Sequence, residues 1–330
     1  MNVVYSTDNG YAMQLGISMM SLLKNNQNLM ELNLIVLDAG IQEDNIRYLI
    51  KIADYYRRSL KFIPLNRVEN CFPVPLDAHG FNSIVFARLL LGDLIDSSID
   101  SVLYLDCDTV VNGSIAELEQ LSCVMGDKLI AAVPELYMPP RTKKKSIGFK
   151  KYDTYYNAGV LLVNLKVWRK ENLLDRFVSF YSKHRKSLLY NDQDVINACC
   201  KGRIMKLPMK YNISGNHPWF PLWYLRIIQP AYFEGLQSKE ISWMIKYPVI
   251  VHYLGDERPW IHGNFNYYRI LFLNYKKHSY WRKQPDIRGK ERYMRIYHYM
   301  NICTKAFPLA RTIITNLIGI HFYQWFGKAA

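Results

Sequence analysis

Cysteine is scarce and unpatterned in this chain: six among 330 residues, at positions 71, 107, 123, 199, 200 and 303, with no C-x-x-C spacing. That excludes a zinc cage of the usual finger type and fits a reducing compartment in which thiols pack as small apolar groups. No G-x-G-x-x-G follows the first apolar run, and no G-x-x-x-x-G-K-[ST] occurs anywhere. A dinucleotide fingerprint and a P-loop are therefore both absent, and a nucleotide held here would need a metal to manage its phosphates. The opening MNVVYSTDNG has neither the basic start nor the long apolar stretch of a secretory signal, so a cytoplasmic site of action is expected. Long hydrophobic runs are missing too. The best, residues 312–326, is broken by Asn316, His321 and Gln324 and falls short of the ~20 residues a bilayer span needs.

Acidic residues are in deficit, 28 against 42 Lys and Arg, for a net charge of +14. The deficit is concentrated: residues 276–330 hold 11 Lys/Arg and 2 Asp/Glu, a net of +9. Such a tail suits an anionic partner. No zinc finger, aromatic RNA-binding motif or helix-turn-helix accompanies it, so the expected partner is an anionic membrane surface and not nucleic acid. Ten aromatics in the same stretch, among them Tyr280, Trp281, Tyr293, Tyr297, Tyr299 and Trp325, are expected to settle at a membrane boundary.

What is present is a 50% apolar chain with no internal repeat and no low-complexity linker, enough for one large α/β domain or two modest ones. Residues 2–6 read as a buried strand, 11–25 as a helix with Leu15, Met19, Leu22 and Leu23 on one side, 32–37 as a strand, 43–56 as an amphipathic helix and 60–64 as a third strand. Strand–helix alternation implies a mostly parallel sheet with ligands at the strands' carboxyl ends. A helical stretch at 86–94 leads into a strand at 101–105, and further strands are expected at 129–133, 155–164, 204–207 and 248–254. The basic stretch 138–148 reads either as a solvated loop or as a cover over an anionic ligand.

The strand at 101–105 delivers Tyr104-Leu-Asp-Cys-Asp-Thr-Val-Val111. Residues i and i+2 of an extended segment point the same way, so Asp106 and Asp108 can face one target together. A hard divalent cation is that target, because it offsets the repulsion between two close carboxylates. By itself the pair also fits a turn, and Asp192-Gln-Asp194 repeats it.

Five blocks and a sixth give the pair its context: Val4-Tyr-Ser-Thr-Asp8 with Tyr11, Phe86-Ala-Arg-Leu89, the aspartate pair, Tyr156-Asn-Ala-Gly-Val-Leu-Leu-Val-Asn-Leu165, Asn191-Asp-Gln-Asp-Val-Ile-Asn197, and His252-Tyr-Leu-Gly-Asp-Glu-Arg-Pro-Trp260. In this order they resemble the retaining glycosyltransferases of family 8, which include bacterial lipopolysaccharide galactosyl- and glucosyltransferases, over residues 1 to 262. The resemblance implies a GT-A fold, a single Rossmann-like nucleotide-sugar-binding domain over 1–270, with 271–330 left as a basic, aromatic, helical tail. It also implies a UDP-hexose donor, a saccharide or lipid-linked saccharide acceptor, and Mn2+ or Mg2+ as cofactor. Asp106, Asp108 and His252 would be the metal ligands. Asp8, Tyr11, Arg88, Gly255 and Arg258 would join the two aspartates in binding the donor, and Asn157, Asp192 and Gln193 would surround the transferred sugar. Gly10 stands where close relatives often have asparagine, and Arg258 where lysine is more usual before Pro-Trp.

Two readings of the chemistry stay open: front-face attack by the acceptor, favoured because the Gln193 amide is weakly basic, and a covalent intermediate on Asp192. Rival functions are a haloacid-dehalogenase-like phosphatase, since Asp106-Cys-Asp-Thr-Val110 fits D-x-D-x-[TV], and a non-catalytic membrane-bound scaffold. The location that follows is cytoplasmic, peripheral at the inner face of the plasma membrane.

Overall fold

In the computed structural model the described residues are 1–65, 68–77, 83–136, 141–150, 152–215, 217–310 and 313. Three strands, β1 (Asn2–Thr7), β2 (Asn33–Asp38) and β3 (Leu60–Pro64), alternate with α1 (Ala12–Asn25) and α2 (Glu43–Tyr55). They pair in parallel, and β4 (Ser101–Leu105) joins β1 in parallel on its other side. Next comes β7 (Tyr156–Asn164), antiparallel to both β4 and β6 (Ile130–Pro134), and β8 (Ile204–Lys206) closes the edge parallel to β6. The order is β3-β2-β1-β4-β7-β6-β8, the expected α/β architecture with a mostly parallel mixed sheet. A smaller sheet, β5-β10-β9, is made by β5 (Thr109–Val111), β9 (Ile213–Ser214) and β10 (Ile250–His252).

Both faces of the large sheet are covered, which is why its strands are apolar at successive positions instead of alternating with polar ones. Val3, Tyr5, Leu103, Leu105, Val160 and Leu162 face one core, packed by α1. Their neighbours Val4, Val102, Tyr104, Leu161 and Val163 face the other, with Trp168, Phe177, Val195 and Ile196 from the helices Leu165–Lys170, Leu173–His184 and Asn191–Cys200. Crossovers leave β1 toward β2 and β3, while β4 lies on its opposite flank, so the carboxyl ends of β1 and β4 meet at a topological switch point.

Several expected details change. The stretch expected as a helix at 86–94 is a 3-10 segment, Ser83–Leu90, followed by one turn, Leu91–Leu94. The strand expected at 248–254 shortens to Ile250–His252, because its partners β5 and β9 are only three and two residues long. Of the basic stretch 138–148, residues 138–140 lie outside the described residues and Arg141–Ser146 is a short helix. The segment 312–326 lies outside them as well, apart from 313.

The tail aromatics divide into two groups. Trp281 and Tyr293, expected at a membrane boundary, are instead buried in the α1-side core with Phe272 and Met294. Gly16 makes the slot: a Cβ there would lie 2.1 Å from the Trp281 ring, and the indole N–H donates to Asn45 Oδ1 at 2.9 Å. Tyr299, in contrast, is exposed on the helix Glu291–Lys305, and Phe307 is exposed just beyond it.

Candidate active site

The aspartate pair does not ride on an extended strand as the spacing suggested. β4 stops at Leu105, and Asp106 to Asp108 form a tight turn into β5, closed by the Thr109 hydroxyl donating to the Asp106 carbonyl at 2.8 Å. What brings His252 to them is the antiparallel β5–β10 pairing, which sets His252 opposite Thr109 and lets the Tyr253 N–H donate to the Asp108 carbonyl at 2.9 Å. The His252 Nε2 lies 3.1 Å from Asp108 Oδ1 and 3.7 Å from Asp106 Oδ2. One ligand atom from each of the three falls within 4.8 Å of the others.

The donor set suits a divalent cation. On the far side of the imidazole, Nδ1 faces Asn212 Oδ1 at 3.1 Å, and an amide oxygen can only accept, so Nδ1 carries the proton and Nε2 is turned to the carboxylates. Burial works against the His252 charge, but Asp108 and Asp106 hold its pKa above the ordinary value. Burial would push the Asp108 carboxyl up, but the charge and hydrogen bond of His252, together with the charge of Arg258, hold it below the usual range. Gly159 on β7 permits this crowding. A Cβ there would stand 2.1 Å from His252 Cε1 and 2.7 Å from Asp106 Oδ2, closer than atoms pack.

Arg88, expected against donor phosphate or sugar, is buried and already paired. Its Nη2 lies 2.8 Å from Asp106 Oδ1 and its Nε 2.9 Å from Asp192 Oδ2, with the guanidinium 4.7 Å from the Tyr104 ring centre. One side chain thus ties a metal-site carboxylate to the candidate nucleophile. Asp192 itself lies in the first turn of the helix Asn191–Cys200 and does not cap it; the N-cap position is Tyr190, and Asp194 Oδ2 ties down the approach by accepting from the Leu189 and Tyr190 N–H groups at 2.6 and 2.9 Å. Burial pushes the Asp192 carboxyl up to about 7, with Arg88 pulling the other way.

Beside it the Gln193 amide is held at both ends, accepting from the Ala158 N–H at 2.8 Å and donating to Glu135 Oε2 at 3.3 Å. Asn157 donates to the same Glu135 oxygen at 2.7 Å and accepts from Asn212 at 2.8 Å and from the Gly159 N–H at 2.9 Å. A continuous polar chain therefore runs Gln193, Glu135, Asn157, Asn212, His252.

On the other flank, Asp8 follows β1 and accepts from the Gly10 N–H at 2.9 Å, capping the 3-10 turn Asn9–Tyr11 that precedes α1. The Tyr11 hydroxyl accepts from Arg258, and its ring meets Trp260 edge-on, 6.1 Å between centroids. Gly255 takes φ +81°, a left-handed conformation that favours glycine, and its carbonyl accepts from Arg258 Nε at 3.0 Å. Asp106, Asp108 and His252 thus form one group, with Arg88 linking it to Asp192, while Asp8 is engaged locally in its turn.

Three participants escaped the sequence reading. Glu135 closes an apolar strand as Asp106 does, a signal that could have flagged it. Gly159 sat unremarked inside a recognised block. Asn212 had no signal at all. A cavity of about 920 Å3, lined by Lys24, Tyr56 and Tyr275 among others toward the far end of α1, includes none of these residues.

Comparison with known proteins agrees with this geometry. The model described as Glycosyl transferase family 8 matches residues 2–263. A putative glycosyltransferase of Haemophilus influenzae is 28% identical over 264 residues, 79% of this chain and 73% of that protein. A lipopolysaccharide 1,2-glucosyltransferase of Escherichia coli is 28% identical over 296 residues, 86% of this chain and 80% of its own. Among solved structures, the galactosyltransferase LgtC in complex with donor and acceptor sugar analogs superposes with a TM-score of 0.69 at 26% identity, covering 86% of this chain and 99% of that one. The fold is GT-A, as the sequence blocks implied.

Proposed function

The chain belongs to glycosyl transferase family 8, and on that footing we propose that it moves a hexose, galactose or glucose, from a UDP-sugar to a saccharide or lipid-linked saccharide acceptor with retention at the anomeric carbon. One observation carries the reading: Arg88 joins the group Asp106, Asp108 and His252 to Asp192, so a candidate cation site and a buried carboxylate share one link. Family membership sets aside the phosphatase reading of Asp106-Cys-Asp-Thr-Val110.

Asp106, Asp108 and His252 would hold Mn2+ or Mg2+. When bound, the cation supplies Lewis acidity to a diphosphate leaving group. Asp8 and Tyr11 bind the nucleoside side of the donor. Arg258, with Gly255 shaping its loop, adds a fixed positive charge where the leaving group gains negative charge, so its stabilisation is preorganised. Arg88 holds the Asp106 rotamer, and its guanidinium would also contact donor phosphate or sugar. The Arg88–Asp192 pair weakens Asp192 as a nucleophile, and the Gln193 oxygen is occupied by a backbone N–H. Both facts favour front-face attack by the acceptor over a covalent intermediate, with Asn157 and Gln193 orienting sugar hydroxyls.

Relatives named for lipopolysaccharide glucosyl transfer support a role in lipopolysaccharide or another cell-surface glycan. In this reading 1–270 is the catalytic unit, and 271–330 brings it to an anionic membrane surface at the cytoplasmic face of the plasma membrane. No helix among the described residues is long and apolar enough to cross a membrane.

UDP-glucose and UDP-galactose, each tested with Mn2+ for slow hydrolysis and then for transfer, test the donor. Proton NMR of the first-formed product reads the stereochemistry. Retention is expected. An inverted product would overturn the mechanism, and no turnover with any UDP-sugar would leave a non-catalytic sugar-nucleotide scaffold.

A further inference from the structure

The family match ends at residue 263, yet the helix Glu291–Lys305 beyond it touches the loop that carries Arg258. Tyr293 is buried, and its hydroxyl donates to Asp256 Oδ2 at 2.6 Å, a short charge-assisted bond. Two turns along, buried Asn301 places its Nδ2 3.5 Å from Glu257 Oε2. The two residues immediately before Arg258 are thus each met by a side chain from this one helix.

The strand-like segment leading into that helix pins the other side of the loop. Ile287 accepts from the His262 N–H and donates to the Trp260 carbonyl, both at 2.8 Å. Within the loop, the Arg258 N–H donates to the Asp256 carbonyl at 2.9 Å, and its guanidinium reaches the Gly255 carbonyl and the Tyr11 hydroxyl. A displacement of Asp256 therefore moves Arg258 by direct connection, and Arg258 bears on Asp108.

We infer that Tyr293 is a positioning residue for donor binding: its hydroxyl, through Asp256, holds the Gly255–Arg258 loop in the place from which Arg258 meets the diphosphate, with Asn301 as a second support. The role of the loop rests on the glycosyl-transfer reading above; the way it is held rests on these contacts. The segment after residue 263 is in this view part of the working site as well as a link to a surface.

The test uses the full-length chain with Tyr293→Phe, which removes one oxygen and keeps the ring in the core, alongside Arg258→Ala and the double variant. For Tyr293→Phe the affinity for UDP in the presence of Mn2+, and kcat/KM for the productive UDP-hexose, should fall about 5- to 10-fold, the scale of one lost hydrogen bond. KM should rise. A purely structural defect would lower the active fraction, hence kcat and Tm, and leave KM alone. In the Arg258→Ala background the same change should have no further effect, because coupled residues do not add. Equal losses in both backgrounds, or unchanged UDP affinity, would overturn the inference. Hydrogen exchange over residues 254–262 is read in parallel: it should quicken in Tyr293→Phe, and unchanged exchange would refute the coupling. Because exchange needs no substrate, a wild-type chain inert to every UDP-sugar would count against the donor assignment while the loop coupling is judged separately.

Discussion

The His252 Nδ1 and the Asn212 Oδ1 face each other at 3.1 Å in a buried setting, so a residue with no place in any motif decides which imidazole nitrogen is offered to the metal site. Such outer partners commonly contribute 10- to 100-fold to metal affinity. Asn212→Ala should therefore weaken Mn2+ binding by about that factor, as read by calorimetry or by the loss of free-Mn2+ signal in electron paramagnetic resonance. An unchanged affinity would mean that the ring is held by packing alone.

Asp106→Ala and Asp108→Ala should each abolish transfer, and His252→Ala should weaken metal affinity severely, with all three proteins still folded. The two aspartates differ in what they leave behind. Without Asp106, the buried Arg88 keeps only Asp192 as an ion-pair partner, at an expected cost of about 1–3 kcal/mol. Loss of Asp108 lets His252 revert to the neutral form instead. Thermal unfolding should accordingly place Asp106→Ala below Asp108→Ala, and full Mn2+-dependent activity in Asp108→Ala would remove the metal assignment.

Gly159→Ala is expected to cost at least about 100-fold in activity through the metal site, since the added methyl must displace either the imidazole or the Asp106 carboxylate. The circular dichroism spectrum should stay close to that of the parent, because Gly159 lies in a strand and needs no left-handed backbone. Retained Mn2+ affinity in this variant would show that the cluster can relax around a methyl group.

Why was so much of this site legible, and Asn212 not? Asp106, Asp108 and His252 are rare residue types at the ends of apolar runs, and their order with five other blocks made them recognisable. Asn212 has its place through the parallel pairing of β9 with β10, a two-residue strand too short to show any period. The 3-10 segment Ser83–Leu90 was misread for a related reason, because an apolar run says buried without saying which helix. In the tail, Trp281 and Tyr299 look alike as sequence, and only the slot left by distant Gly16 sends one inward. Arg88 was recognised, but its pairing with both Asp106 and Asp192 needed three elements in space.

A pH prediction follows from His217, whose ring is fully buried beside Tyr232 and Phe233 with neither nitrogen hydrogen-bonded among the described residues. Burial pushes its pKa down to about 3, against 6.5 in the unfolded chain. Between those values the unfolded state takes up the proton and the folded state does not, so stability is fully present above about 6.5 and is lost as pH falls toward 3. The full effect is on the order of 5 kcal/mol. Denaturant titrations of His217→Phe from pH 7 to 4 should show a shallower loss than the parent. Parallel curves would rule His217 out as the source of acid sensitivity.

Membrane attachment is best tested with a cut that respects the core. Truncation after Tyr275 would remove Trp281, Tyr293 and Met294, all buried, and should unfold the protein, since losing large core side chains costs about 3–5 kcal/mol each. Truncation after Ala310 spares them. It deletes the apolar stretch 312–326 but only Arg311 and Lys328 of the tail's cations, so the remaining basic residues keep an electrostatic contribution of about 1 kcal/mol for each one near the surface. The full chain should therefore co-sediment with phosphatidylglycerol vesicles at moderate salt. The shortened chain should bind only at low salt, where charge alone suffices. Its UDP-hexose hydrolysis should be unchanged, while transfer to a lipid-borne acceptor slows. Equal vesicle binding by the two proteins at moderate salt would refute an anchor in the last twenty residues and shift the attachment to the exposed face around Tyr299 and Phe307.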